Sequence, residues 1–330
     1  MTKIEAARRE YSDWSSAIGI RSMDDVNRII AEGNAIKLIN LCEARQERKY
    51  ADAADEVMWH SDRARIVMMS GPSSSGKTSS SLRIAQQCRV LGITPKVIEL
   101  DNYFVERDRT PLDENGNKDY EALEAMNIEL LGQNLNDLLS GKEIIVPKFD
   151  FVNGKTIFDE SRRMKLEKGD VLFMEGIHAL NPALTPSVDQ NRIFRIYISA
   201  LSALSTGDVH NSTTDKRLLR RIVRDNRTRG ISPEENILRW PSVRRGEIRN
   251  IFPYEENADV VFNSSLLYDL PLLKYYAEPL LYAIAESSPA YEKAHELTTF
   301  LTRITALQPA DIAAIPPTSI MREFIGGQTL

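Results

Sequence analysis

Cysteine, histidine and long apolar runs are scarce in this sequence, and each scarcity excludes a class of protein. The only cysteines are Cys42 and Cys88, too few for a disulfide framework, and the four histidines lack the spacing of a zinc site. No run approaches the roughly 20 apolar residues that a membrane span needs. The first residues also lack the apolar segment of a secretory signal. We therefore expect a cytoplasmic protein that does not enter membranes.

The composition is otherwise that of an ordinary soluble globular protein. Hydrophobic residues make up 42% and charged residues 27% of the 330 residues, which excludes a disordered chain. The net charge of −5 argues against a protein whose whole surface binds nucleic acid. These values favour a globular enzyme.

The chain divides into three stretches along its length. Residues 1–62 are predicted to be helical, with apolar positions at helical spacing over 26–44 and a polar helix over 45–60. We interpret this stretch as a docking or linker segment. A catalytic domain is predicted over 63–288, followed by a C-terminal helix and tail over 289–330.

Within the central stretch, short apolar runs alternate with helical ones. Strands are predicted over 65–70, 96–100, 170–175, 193–199 and 258–263, and helices over 79–91, 121–141 and 213–229. This alternation predicts an α/β fold with a mostly parallel sheet that carries helices on both faces. Residues 147–160 alternate more strongly around Gly154 and predict a small β hairpin or flap.

The segment GPSSSGKT at 71–78 fits the G-x-x-x-x-G-K-[ST] pattern of a P-loop, between a predicted strand and a predicted helix. Backbone N–H groups of such a loop surround phosphate at the positive end of the helix. Lys77 would reach the β- and γ-phosphates, and the Thr78 hydroxyl would hold Mg²⁺. The predicted nucleotide-binding residues of this loop are Gly71, Pro72, Ser73, Ser74, Ser75, Gly76, Lys77, Thr78 and Ser79.

Two carboxylates follow predicted strands, where the carboxyl ends of parallel strands meet the binding crevice. Asp101 ends KVIELD and Glu175 ends DVLFME. Phosphoryl transfer to a hydroxyl needs a carboxylate to accept the hydroxyl proton, and a metal-bound triphosphate needs another to hold Mg²⁺. We predict that these two residues divide those roles, although a helix cap or a surface turn would also explain either one alone.

Eleven lysines and arginines lie between Lys216 and Arg249. Arginines at three- and four-residue spacing share a helix face, and their forked guanidinium groups suit phosphate oxygens. Gly230 would end such a helix and let it act as a lid over the transferring group. The alternative is a solvated helix face whose arginines form surface salt bridges. It would explain about half of these arginines.

Together these segments resemble the uridine kinase and phosphoribulokinase family of P-loop kinases, over about residues 65–285. The segments that carry the resemblance include GPSSSGKTS, LDNYF, PKFDF, VLFMEGIHAL and RLLRRIVRDNRTRG. The later WPSVRRGE, IFPYEENADVVFNSSL and SIMREFIGG resemble bacterial uridine kinase-like proteins fused to a threonyl-tRNA-synthetase-like N-terminal half. The resemblance implies that most of that half is missing here and that residues 1–62 are its remnant.

The resemblance implies a role for individual residues. It implies ATP and Mg²⁺ as cofactors, Asp101 as general base, Glu175 as the Mg²⁺-associated carboxylate and Asp259 near the adenine. It places Glu121 where an acidic residue holds the ribose hydroxyls of the acceptor. The catalytic set that it implies is Asp101, Lys77, Arg221, Arg224 and Arg229, with Thr78 and Glu175 at the metal.

The acceptor pocket departs from the family pattern. Phe149 replaces a tyrosine, Gly154 replaces a histidine that touches the base, Ile231 replaces an arginine, and Trp240 aligns near a glutamine. Because each lost hydrogen bond removes about 1–3 kcal/mol of discrimination, the sequence supports a kinase better than it supports uridine as the acceptor. The predicted acceptor-binding residues are Glu121, Phe149, Gly154, Arg221 and Trp240.

We therefore predict an ATP-dependent kinase acting on a hydroxyl of a small molecule, with a uridine- or cytidine-like nucleoside first and a sugar phosphate second. Two alternatives remain open: an ATP-driven regulatory switch without an acceptor, and an RNA-interacting protein. The net negative charge and the lack of aromatics among the basic residues weigh against nucleic acid as a partner. Association into a homo-oligomer is left open.

Overall fold

The structure, a computed structural model, describes residues 1–112, 114, 116, 118–201, 204 and 213–330. Its strands are β1 (Ile66–Ser70), β2 (Thr94–Glu99), β3 (Ile144–Ile145), β4 (Lys148–Asp150), β5 (Lys155–Ile157), β6 (Arg163–Met164), β7 (Asp170–Glu175), β8 (Ile193–Ser199) and β9 (Val260–Asn263). A five-stranded parallel sheet has the order β2-β7-β1-β8-β9. The predicted α/β fold with a mostly parallel sheet is therefore confirmed.

Helices surround this sheet and extend the molecule beyond it. They are α1 (Lys3–Ala17), α2 (Met23–Ala31), α3 (Ala35–His60), α4 (Lys77–Val90), α5 (Ile128–Leu139), α6 (Thr213–Thr228), α7 (Pro233–Asn250), α8 (Asp269–Tyr282), α9 (Tyr291–Leu301), α10 (Pro309–Ala313) and α11 (Met321–Ile325). In the part of the chain that the structure describes, no helix is both long enough and apolar enough to cross a membrane.

The central strand β1 shows how the sheet is buried on both faces. Val67 and Met69 point to one face, where they join a core with α3 and α4, whereas Ile66 and Met68 point to the other, where they join a core with α5. The alternation follows from the two-residue period of a strand. Such double burial explains why the parallel strands are continuous apolar runs in the sequence.

The predicted flap is present as an antiparallel hairpin of β4 and β5, paired from Lys148 with Ile157 to Asp150 with Lys155. Gly154 lies in its turn at φ 66°. In a second short antiparallel pair, Ile144 of β3 lies opposite Met164 of β6. The flap therefore projects from the chain between α5 and β7, beside the carboxyl edge of the sheet.

Two helix boundaries differ from the predicted ones. The helices predicted over 26–44 and 45–60 are instead α2 and the long α3, because the chain turns at Gly33, whose φ of 75° no helix accommodates. The helix predicted over 121–141 begins only at Ile128, where the Asn127 side chain accepts a hydrogen bond from the Leu130 N–H and caps it.

The helices at the two ends of the chain share a third core. Val26 and Ile39 from α2 and α3 pack with Leu218 and Ile222 of α6 and with Phe324 of α11. All five side chains are buried. The N-terminal helices thus lie against the same helices that flank the carboxyl edge of the sheet.

Two isoleucines on α3 test this packing. Ile39 is fully buried, whereas Ile36, three residues earlier, is 42% exposed. We expect Ile39→Ala to lower the free energy of unfolding by about 2–5 kcal/mol because it leaves a cavity in the core. Ile36→Ala should change it by less than about 0.5 kcal/mol. Urea unfolding of both variants measures this, and equal effects would contradict the packing of α3 against α6 and α11.

Candidate active site

The loop between β1 and α4 has the backbone of a phosphate cradle. Gly71 lies so close to β8 that a Cβ there would be 2.0 Å from the Ile198 carbonyl oxygen, so only glycine fits. Ser74 has φ 57°, a conformation that is uncommon outside glycine and recurs at ligand clamps. Gly76 has φ 84° and precedes the first turn of α4. The helix N-terminus therefore opens onto the carboxyl edge of the sheet, as anion binding requires.

Lys77 lies over this loop. Its Nζ donates hydrogen bonds to the carbonyl oxygens of Gly71 and Pro72, at 2.9 and 3.2 Å. Burial lowers the pKa of Lys77, and the charge of Glu175 opposes that shift. The ammonium group is thus held at the loop by weak neutral acceptors, which a phosphate oxygen could readily replace.

The strand-end carboxylates lie where the sequence predicts them. Glu175 ends β7, and its Oε1 accepts a 2.8 Å hydrogen bond from Thr78 Oγ1. Asp101 follows β2 in a short 3₁₀ turn over Leu100–Tyr103. The two strands are neighbours in the sheet, with Glu99 opposite Glu175 in register. This register brings both carboxylates to the edge that carries the P-loop.

A cavity of about 220 Å³ collects these groups. The predicted site residues that line it are Ser73, Ser74, Gly76, Lys77, Thr78, Asp101, Glu121, Glu175, Arg221, Arg224 and Arg229. The remaining lining residues include Glu99, Glu247 and Glu323. Six carboxylates and four cations therefore face one small space.

Burial raises the pKa of Asp101, Glu121 and Glu175 above its ordinary value, and the charge of Lys77 is the main opposing influence. Asp101 is nevertheless reached by solvent at the cavity mouth. A carboxylate with a raised pKa is a stronger proton acceptor than an ordinary one. The cavity thus holds bases that are suited to accept a proton from a bound hydroxyl.

The three predicted lid arginines are held by one buried carboxylate. Asp225, fully buried on α6, lies 3.4 Å from Arg221, 2.7 Å from Arg224 and 3.6 Å from Arg229. Arg221 also donates to Ser73 Oγ at 2.9 Å, so α6 contacts the P-loop directly. Asp225 positions the guanidinium groups without lying in the cavity itself, and nothing in the sequence singles it out.

A second buried pair fixes the start of the P-loop, and the sequence did not reveal its role. Glu247 on α7 accepts hydrogen bonds from Arg217 at 2.9 Å and from the Ser73 N–H at 2.9 Å. Arg217 in turn donates to the Ser73 carbonyl at 3.0 Å. The basic stretch is therefore only partly a phosphate-binding surface, because some of its arginines form buried structural pairs rather than a solvated face.

Outside the P-loop segment 71–79, four predicted site residues are not brought to the cavity. Phe149 is buried on β4 against Phe104 and Phe151, and Gly154 lies in the flap turn. Trp240 is buried on α7 beneath the Arg217 guanidinium. The remaining one, Asp259, precedes β9, and its carboxylate accepts a 2.7 Å hydrogen bond from the Arg195 N–H in mid-strand. The roles of all four stay predictions.

The residues present fit a magnesium–nucleotide complex. The Thr78 hydroxyl and the Glu175 carboxylate are adjacent at the end of the phosphate loop. Among the described residues, no three His, Cys, Asp or Glu side chains form a metal cluster of their own. Mg²⁺ typically takes one or two protein oxygens and completes its shell with water and phosphate. Thr78 and Glu175 are therefore the residues that would hold Mg²⁺ together with a bound nucleotide.

Comparison with known proteins assigns the family. Residues 66–270, more than half of the chain, match the phosphoribulokinase and uridine kinase family. The chain therefore belongs to this family and is a P-loop kinase, which confirms the predicted resemblance. The finer resemblance to proteins with a fused synthetase-like half stays a prediction.

Individual relatives are moderately similar. A uridine kinase of Macrococcus caseolyticus is 33% identical over 199 residues, which are 59% of this chain and 86% of that protein. A uridine kinase of Halobacterium salinarum is 29% identical over 194 residues, 58% of this chain and 77% of that protein. A solved structure, described as a possible uridine kinase from Bacillus stearothermophilus, aligns with a TM-score of 0.43 at 20% identity, over 67% of this chain and all of that one.

Replacing Glu247 tests the pair that fixes the P-loop. Although burial acts to raise it, hydrogen bonds from Arg217 and Arg244 hold the pKa of Glu247 below its ordinary value of 4.5. The stability that this carboxylate contributes is therefore complete above that value and lost as the pH falls through its folded pKa. Glu247→Gln should lower the free energy of unfolding by about 3–5 kcal/mol near neutral pH, because buried Arg217 loses its counter-charge.

Urea unfolding from about pH 7 to about pH 4 measures this difference, which should shrink toward the acid end. Exposed Glu106→Gln is the matched control and should leave stability unchanged across the range. A Glu247→Gln effect that is small, or that grows as the pH falls, would contradict the assigned pair.

Proposed function

We propose that this member of the phosphoribulokinase and uridine kinase family transfers the γ-phosphoryl group of ATP to a hydroxyl of a nucleoside. The observation that supports the proposal is the convergence of Lys77, Asp101, Glu175 and the Asp225-held arginines on one cavity at the P-loop. The relatives that carry the name uridine kinase make a pyrimidine nucleoside the first acceptor to test.

In the proposed reaction, Asp101 accepts the proton of the acceptor hydroxyl. The hydroxyl oxygen forms the new bond to the γ-phosphorus while the bond from that phosphorus to the bridging oxygen of ADP breaks. Asp101 suits this role because its carboxylate lies at the cavity mouth, and burial raises its pKa. General bases of this kind contribute a rate factor of about 10²–10⁴.

The cations of the cavity would stabilise the charge on the transferring group. Lys77 would exchange its two carbonyl acceptors for phosphate oxygens. Arg221, Arg224 and Arg229 would donate to the equatorial oxygens, where a loose transition state spreads its charge. Mg²⁺, when bound with ATP, would neutralise the β- and γ-phosphate oxygens, and Thr78 and Glu175 would hold it.

The position of Glu121 favours an acceptor that carries several hydroxyl groups. Glu121 lines the phosphate cavity and also a neighbouring cavity of about 570 Å³ between residues 118–121 and α7. An acceptor in this second cavity could present one hydroxyl to Asp101 while adjacent hydroxyls donate to the Glu121 carboxylate. A ribose with its vicinal hydroxyls has this chemistry.

A sugar phosphate is the second candidate acceptor. Arg245 and Arg249 line the same neighbouring cavity, and their ion pairs with Glu114 and Asp119 are long, at 3.7 and 3.9 Å. Such loosely paired arginines could bind an acceptor phosphate bidentately. Replacement of both arginines would then impair a sugar phosphate more than a nucleoside.

The proposed chemistry is tested by ADP formation with a panel of nucleosides and sugar phosphates. One acceptor should stimulate ADP release, and Asp101→Asn should lower kcat by about 10²–10⁴ because the proton then has no acceptor. Exposed Asp62→Asn is the matched control and should retain full activity. ATP binding without stimulation by any acceptor, and without an effect of Asp101→Asn, would instead indicate a nucleotide-dependent switch.

The proposed acceptor contact is tested by Glu121→Gln. Loss of a charge-assisted hydrogen bond should raise the KM of the nucleoside about tenfold or more, while the KM of ATP stays within about twofold. Exposed Glu124→Gln, three residues away, should change neither constant. A rise in the KM of ATP alone would place Glu121 at the nucleotide rather than at the acceptor.

A further inference from the structure

The C-terminal segment 319–328 lies directly on the P-loop, although it is more than 240 residues away in sequence. Ile320 covers Gly76 so closely that a Cβ on that glycine would be 2.3 Å from Ile320 Cδ1. The helix α11 follows, and its Glu323 side chain reaches the cavity that holds Lys77 and Thr78. The phosphate cradle therefore has a wall that lies outside the residues matched to the family.

Glu323 interacts with the first turn of α4. Its Oε2 accepts a hydrogen bond from the Ser79 hydroxyl and a longer one, 3.4 Å, from the Ser79 backbone N–H. Gln328 donates to the same hydroxyl at 2.7 Å. A carboxylate thus lies on a backbone donor at the N-terminus of the P-loop helix.

That donor belongs to the set that binds phosphate in a P-loop. The N–H groups of the first helical turn have no carbonyl partner within the helix, and together with the helix dipole they attract anions. In α4, which begins at Lys77, the Ser79 N–H is the third of these groups. A nucleotide phosphate at this turn would compete with the Glu323 carboxylate for the donor, and the two negative charges would repel each other.

The segment that carries Glu323 is held firmly at both ends. Ser319 donates a 2.7 Å hydrogen bond to Glu43 of α3, and Arg227 of α6 donates to the Phe324 carbonyl at 3.2 Å. The Met321 and Phe324 side chains are fully buried. The carboxylate is therefore held at Ser79 by packed structure rather than by a loose tail.

We propose that Glu323 sets the nucleotide affinity of this kinase by occupying the Ser79 N–H as an internal anion, which nucleotide phosphates must displace. The inference rests on the proposed binding of ATP at the P-loop and adds a residue that discriminates against phosphate at that site. It predicts weaker binding of ADP and ATP than the bare P-loop would give, with no effect on a ligand that lacks phosphate.

The test is the dissociation constant of ADP, measured by titration calorimetry without any acceptor. Glu323→Gln keeps the shape of the side chain but removes its charge, and Glu323→Ala removes both the charge and the acceptor atoms. Both variants should bind ADP more tightly, by about tenfold for the alanine, because a charge-assisted contact no longer competes. Exposed Glu292→Gln on α9 is the matched control and should bind ADP as the unmodified protein does.

Adenosine distinguishes competition for phosphate from a general opening of the site. Its affinity should stay the same in all variants, and an equal gain for adenosine and ADP would overturn the proposal. Unchanged or weaker ADP binding in both Glu323 variants would also overturn it and make Glu323 a structural or supporting wall. Because no acceptor is present, a protein that binds ADP but phosphorylates nothing would contradict the proposed kinase function alone.

Discussion

The buried ion pair between Arg217 and Glu247 is the constraint on which the rest of the site depends. It closes through both backbone groups of Ser73, so the P-loop, α6 and α7 are joined at one point in the interior. Interactions between charges are strong there because little water screens them. Because α6 also carries Arg221 and Arg224, the pair fixes their distance from the phosphate loop. Asp225 then holds the guanidinium groups of Arg221, Arg224 and Arg229 in position.

The charges of the cavity are matched to a ligand that carries both signs. Arginines and Lys77 suit the phosphate oxygens, whereas burial raises the pKa values of the Asp101 and Glu175 carboxylates by removing water from them. A divalent cation supplies the missing positive charge and lowers the pKa of its neighbours. Under the proposed function, a magnesium–nucleotide complex would bring phosphate oxygens to Lys77 and the arginines and a cation to Thr78 and Glu175.

The sequence predicts the sheet and the phosphate loop well because both are local patterns. A buried strand is a short apolar run, and the P-loop glycines mark backbone conformations that other residues avoid. Helical spacing alone does not tell which arginines face the cavity, since Arg217 and Arg221 lie one turn apart on α6. The family resemblance implies Arg221, Arg224 and Arg229, which line the cavity, but gives no indication that Arg217 is buried against Glu247. Glu323 lies in SIMREFIGG, a segment that carries the finer resemblance, but nothing in the sequence indicates its contact with Ser79, because that contact arises from long-range folding.

The residues that form the nucleotide cavity extend beyond the segment that matches the family. The match over 66–270 includes the P-loop, both strand-end carboxylates and the arginines, but not the C-terminal wall at Ile320 and Glu323. That wall is anchored to α3 near the other end of the chain through Ser319 and Glu43. The family segment contains every residue that the proposed phosphoryl transfer uses. The helices outside it supply part of the core around α6, and the C-terminal wall adds Ile320 and Glu323 to the phosphate cradle, so segments outside the family match also shape the site.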